Sequence, residues 1–243
     1  MSGQLDLLTL ISLVVAVIAV LKLRSILGRD AGPPERRAER VQEARRRAQS
    51  PADQGKVVTL PRRDAAAAEA TTEVALADGE QKIRAFATDT VVADGLVGIY
   101  KLDPAFEPQM FIKGAKQAYE MIVTAFAEGN RKTLKDLLSK EVYEAFNAEL
   151  MARDRRGDIV DQSFVGISKA DITEADLKNG VASVTVRFVS QLISATRDRR
   201  GMVIGGDPQK IKEVTDVWTF SRDISTPRAR QNLNWRLVAT QEQ

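Results

Sequence analysis

VASVTVRFVSQLIS, from Val181 to Ser194, is a β-branched run in which Val184, Val186 and Phe188 alternate with polar neighbours. Apolar residues at every second position predict a strand with one buried face. Lys178-Asn179-Gly180 stands directly ahead of it. Asn-Gly suits the tight hairpin turn that needs positive φ at both central positions, so Ser163 to Ile172 is expected to be the paired strand. Downstream, Arg197 to Gly206 reads as a turn region, basic and then glycine-rich. Two further strands follow, Val214 to Arg222 (VTDVWTFSR) and Leu233 to Thr240 (LNWRLVAT). Val214, Trp218 and Phe220 fall in one phase, with Asp216 between them, and Leu233, Trp235 and Leu237 share another. Four strands in a meander are the expectation.

Upstream the period is that of a helix. In Met110 to Glu128, Phe111, Ala115, Ala118, Tyr119, Ile122, Ala125 and Phe126 fall on one stripe. Gly129-Asn130 signals its end. Leu134, Leu137 and Leu138 mark a short second helix. Ser139 can cap a third, with Val142, Phe146 and Leu150 on its face and a basic loop from Arg153 to Gly157. Packed structure is expected to begin between Glu80 and Asp89, and Asp103-Pro104 to make a turn or helix entry. Helices followed by a run of strands predict an α+β domain, its helices on one face of a curved four-stranded antiparallel sheet.

The start of the chain has a different character. Leu7 to Leu21 reads LLTLISLVVAVIAVL, apolar all round and uncharged. That is what a lipid-facing helix requires, and Lys22 and Arg24 can lift their charges to the interface. Residues 1–27 are therefore read as a single uncleaved membrane span. No Lys or Arg precedes it, whereas Lys22, Arg24 and Arg29 lead a basic flank behind it. This bias predicts an N-terminus outside and a domain in the cytoplasm. Residues 28–80 read as a linker. Residues 28–63 carry ten Lys/Arg against five acids, and residues 64–107 nine acids against three bases, so the basic part is the one beside the bilayer. Arg36, Arg37, Arg40, Arg45, Arg46 and Arg47 are the candidate contacts to anionic headgroups. The third segment, 81–243, is the α+β domain.

Composition narrows the chemistry. The chain has no cysteine and no histidine, which excludes disulfides, thiolate sites and every mechanism through imidazole. GMVIGG, Gly201 to Gly206, lacks the Gly-Lys-Ser/Thr ending of a phosphate loop. No EF-hand spacing occurs, and neither metal nor cofactor is expected. Tyr119 with Asp216 or Asp103 could be imagined as a tyrosine–carboxylate pair for proton transfer; a hydrogen-bonded structural role is the stronger reading. Three arginine groups, Arg153/Arg155/Arg156, Arg197/Arg199/Arg200 and Arg228/Arg230, would form one anion-binding surface if their loops shared an end of the sheet.

Phe111-x-x-Gly114-Ala115-x-x-Ala118-Tyr119-x-x-Ile122-x-x-Ala125-Phe126-x-x-Gly129, Val184-Thr185-Val186, Asp216-x-Trp218-Thr219-Phe220-x-Arg222 and Asn234-Trp235-x-Leu237 together resemble the Tim44-like domain family, over residues 89–240. The resemblance implies a cone of helices and sheet similar to nuclear transport factor 2, with an apolar pocket between the layers. It also implies a non-enzymatic adaptor at the inner face of an energy-transducing membrane. In the family's mitochondrial import-motor tether, the domain contacts anionic lipid and the protein recruits an Hsp70 chaperone to a translocon. The segments that do so lie ahead of the domain, and no counterpart is legible here. A span followed by the domain looks like the alphaproteobacterial members, which implies a bacterial inner membrane. Phe111, Ala115, Tyr119, Ile122, Phe126, Val186, Phe188, Trp218, Phe220, Trp235 and Leu237 are the candidate pocket residues, for a lipid tail or an apolar peptide. Core filling is the competing reading. Expected partners are a protein, such as a chaperone or a translocation or assembly complex, and anionic membrane lipid; nucleic acid is not among them. Two rivals remain: a secretion-system assembly factor of the same fold, which would need the opposite charge bias, and a small-ligand or enzymatic pocket protein.

Overall fold

A computed structural model describes residues 76–242, so the expected span and the arginine-rich flank lie outside the described residues. Among those described, no helix is long and apolar enough to cross a membrane. Helical backbone at 76–86 (α1) is followed by α2 (Thr90–Leu102), α3 (Pro108–Glu128), α4 (Arg131–Leu137) and α5 (Lys140–Arg156). Then come β1 (Ile159–Lys178), β2 (Val181–Arg197), β3 (Val203–Asp223), the single turn α6 (Pro227–Arg230) and β4 (Arg236–Glu242). The strands form one antiparallel sheet in the order β1-β2-β3-β4, as the alternation predicted.

Local chemistry sets the joints. Asn179 and Gly180 turn the first hairpin with φ of 53° and 77°. Asp89 caps α2 by accepting from the amides of Val91 and Val92. Asn130 and Ser139 do the same for α4 and α5. Gly129 and Gly157 end α3 and α5 in the left-handed region that glycine enters without penalty. Gly95 lets α2 lie directly on β1, since a Cβ there would sit 2.0 Å from the Ala175 carbonyl oxygen.

Register shifts at three places in β1 mark bulges that bend this strand, and α3 packs on the sheet face that carries the core. Val184, Val186, Phe188, Trp218, Phe220 and Leu237 point into that face and meet the α3 stripe and the buried residues of α5. The α4–α5 junction is tied to β4 by the Ser139 amide, which donates to the Leu237 carbonyl at 2.8 Å.

Several boundaries differ from the sequence reading. β3 starts at Val203, not Val214, because the region after Arg197 makes a short turn closed by Asp198, whose carboxylate accepts from the Arg200 and Met202 amides. β4 starts at Arg236, so Trp235 stands before the strand. Asn232 accepts from the Asn234 amide and holds that stretch as a turn, with Leu233 exposed. Arg153 to Arg156 is the last turn of α5 and not a loop. Arg153 continues the Val142–Phe146–Leu150 stripe and is itself buried.

Candidate functional site

The apolar residues singled out in the sequence fall into three settings. Val186, Phe188 and Leu237 are fully buried and fill the core. Tyr119, Ile122, Phe126 and Trp218 line an interior cavity of about 30 Å³, together with Gln162, Ser194 and Asp216. Phe111, Ala115, Phe220 and Trp235 line a separate open groove of about 520 Å³. The predicted pocket is thus two places, split by the packing of α3 on the sheet.

Tyr119 is the centre of the first. Its ring lies 4.6 Å from that of Phe188 and 4.5 Å from that of Trp218, centroid to centroid. Its hydroxyl donates to Asp216 Oδ2 at 2.6 Å and is 2.8 Å from Ser190 Oγ. All three residues are buried, and β3 carries Asp216 inward in phase with Trp218. A tyrosine in an apolar layer needs such a partner, since a buried hydroxyl without one is costly. Of the two carboxylates considered, Asp216 meets Tyr119. Asp103 is elsewhere, in a buried ion pair with Arg222. The cavity holds a water molecule or two and nothing larger.

The groove lies between the start of α3, α4 and the stretch before β4. Its wall is an aromatic cluster. Trp235 is 4.8 Å from Phe111 and 6.0 Å from Phe106, and Phe111 is 6.2 Å from Phe220. Arg222 follows Phe220 in the inward phase and reaches the floor, its guanidinium 5.1 Å from the centre of the Trp235 ring. It donates to Asp103, which ends α2, so its charge is neutralised by one buried partner. Phe106, Asp103 and Arg222 were not singled out as pocket residues. The signal for Arg222 was its position, two residues after Phe220 in a strand of period two.

The arginine groups separate. Arg153 is buried, with Nη1 donating to the Phe126 carbonyl at 3.0 Å, and desolvation lowers its pKa. Arg156 is bound to Asp158 and Glu149, and chiefly the Asp158 hydrogen bond raises its pKa. The first two groups do meet, through Arg199 Nη2 donating to the Arg155 carbonyl at 2.7 Å. The third is at the other end of the sheet, where Arg230 donates to the Leu102 carbonyl at 2.8 Å. One continuous basic surface is therefore not formed. Arg36, Arg37, Arg40, Arg45, Arg46 and Arg47 lie outside the described residues. Among the described residues no cluster of three acidic groups could hold a metal ion.

Comparison with known proteins places this architecture. The family model of the Tim44-like domain matches residues 92–242. Over 154 residues the chain is 26% identical to "Mitochondrial import inner membrane translocase subunit TIM44-1" of Arabidopsis thaliana, covering 63% of this chain and 32% of the relative. It is 24% identical to the human subunit TIM44, covering 61% of this chain and 33% of the relative. An uncharacterized Rickettsia prowazekii protein is 27% identical over 135 residues, 56% of this chain and 54% of its own. The chain thus spans about a third of the length of the plant and human relatives. On a match that runs from α2 to β4, the chain belongs to the Tim44-like domain family.

Proposed function

We propose that this protein is a membrane-anchored, non-enzymatic adaptor for protein translocation or assembly at the cytoplasmic face of a bacterial inner membrane. The observation that carries the reading is the family match over residues 92–242, whose relatives include inner-membrane translocase subunits. The apolar run Leu7–Leu21 anchors it, with the N-terminus outside, and Arg36, Arg37, Arg40, Arg45, Arg46 and Arg47 engage anionic headgroups. The domain presents its groove to a protein partner. A non-enzymatic role is supported by the tyrosine–carboxylate pair, which faces a cavity too small for a substrate and braces the core.

The absence of cysteine makes a direct test simple. Single cysteines at Ser2 and Ser225 are probed in intact cells with a membrane-impermeant maleimide. Labelling of Ser2→Cys alone, with both variants resisting carbonate extraction, is the expected result. Labelling of Ser225→Cys would place the domain outside and favour the secretion-factor reading. Release by carbonate would refute the anchor.

A further inference from the structure

The open groove offers more than apolar area. Three aromatic rings, Phe106, Phe111 and Trp235, pack edge to face or tilted along one side. Met110, Met121 and Leu233 line the same groove and are about half exposed or more. Exposed methionines are adaptable contact surface for an incoming apolar group. At the floor, Arg222 is buried, pairs through Nη2 with Asp103 and holds its guanidinium 5.1 Å from the centre of the Trp235 ring. Asp103 already neutralises the guanidinium, so the floor offers no unpaired cation to an anionic group. The rim acts in the same direction. Glu107 and Asp136 are exposed, line the groove and make no ion pair among the described residues. That rim repels anionic headgroups and attracts a cation.

We propose that the groove binds a segment of a partner protein that inserts one large apolar side chain against Phe111 and Trp235 and places a Lys or Arg beside Glu107 and Asp136. The inference rests on the adaptor reading and names the chemistry its partner presents. A volume of about 520 Å³ suits one bulky side chain with its flanking backbone. Anionic lipid meets the acidic rim unfavourably and is the alternative the test must separate.

The test uses the full chain in neutral detergent micelles and capped, fluorescein-labelled heptapeptides of three kinds. One has Phe at its centre and Lys flanks, one has Ala at its centre, and one has Phe with Glu flanks. Anisotropy titrations should give the tightest binding for the first. The Ala peptide should bind at least about tenfold more weakly, the loss expected from removing one buried aromatic side chain. Glu107→Lys with Asp136→Lys changes only exposed side chains and should reverse the preference between Lys and Glu flanks. Equal binding of all three peptides, or an unchanged preference in the rim variant, overturns the proposal. So does quenching of Trp235, the one tryptophan left in a Trp218→Phe variant, by micelle-dispersed phosphatidylglycerol with brominated acyl chains but not by brominated phosphatidylcholine, because the groove would then be a lipid site. If the peptides fail while crosslinking still finds a translocation partner, the groove inference falls and the adaptor reading stands.

Discussion

Tyr119→Phe separates the bracing role of the buried hydroxyl from a catalytic one. The substitution keeps the ring stacked on Phe188 and Trp218 and removes only the oxygen. Two contacts go with it, the 2.6 Å bond to Asp216 and the 2.8 Å contact with Ser190. A hydrogen bond to a charged group contributes about 1.5–3 kcal/mol and a neutral one about 0.5–1.5 kcal/mol. The sum is about 3 kcal/mol. For a domain of this size that corresponds to a fall in Tm of roughly 6–12 °C. Trp218 and Trp235 are the only tryptophans, and both lie in or against the packed core, so intrinsic fluorescence in urea follows the transition. The expected result is a lower midpoint with an unchanged slope and native partner binding below it. Asp216→Asn should cost less, because the amide oxygen still accepts from Tyr119. Unchanged stability with loss of a cellular activity would refute the reasoning and return the pair to the enzymatic reading.

Other substitutions test other parts of the frame. Asp103→Ala leaves Arg222 buried and unpaired, and should destabilise by about 3–5 kcal/mol, whereas the double change with Arg222→Met should recover much of that; equilibrium unfolding of the set measures it. Gly95→Ala puts a methyl group into the Ala175 carbonyl and should lower Tm by several degrees, with hydrogen exchange rising first in α2. The Ser225 hydroxyl and amide hold the Asp223 carboxyl below its ordinary range. Its contribution is therefore complete above the usual carboxylate pKa and is lost as pH falls through the lowered folded value. Asp223→Asn should flatten the acid limb of the stability profile, read by urea midpoints at stepped pH. Replacing Arg45, Arg46 and Arg47 by Gln should weaken binding of a fragment beginning at Gly28 to anionic vesicles; equal, salt-independent binding would sink the headgroup contact.

Much of the fold is written in local patterns. The Asn179-Gly180 turn, the Ser139 cap and the stripe on α3 each follow from one residue type at one spacing, and each stands where the sequence puts it. Strand ends were less legible. Apart from the half-buried Gly205, residues 203–213 are exposed on both faces, so no alternation marks them as part of β3. Arg153 reads as a solvated loop residue because nothing local in the sequence marks the Phe126 carbonyl that it meets in the core. The division of the pocket depended on which side of α3 each residue faces. Phe111 and Tyr119 share a stripe, yet one opens to the groove and the other to the interior cavity. The ion pair between Asp103 and Arg222 joins residues 119 positions apart, and no spacing rule could have paired them.

The most direct test of the adaptor reading is crosslinking in living cells, followed by purification of the full-length protein from membranes and mass spectrometry. The account predicts subunits of a membrane translocation or assembly complex, or their chaperone, among the strongest partners, with crosslinks falling on α3, α4 and the 231–235 stretch. Recovery of no protein partner, with a stoichiometric small molecule retained instead, would contradict it.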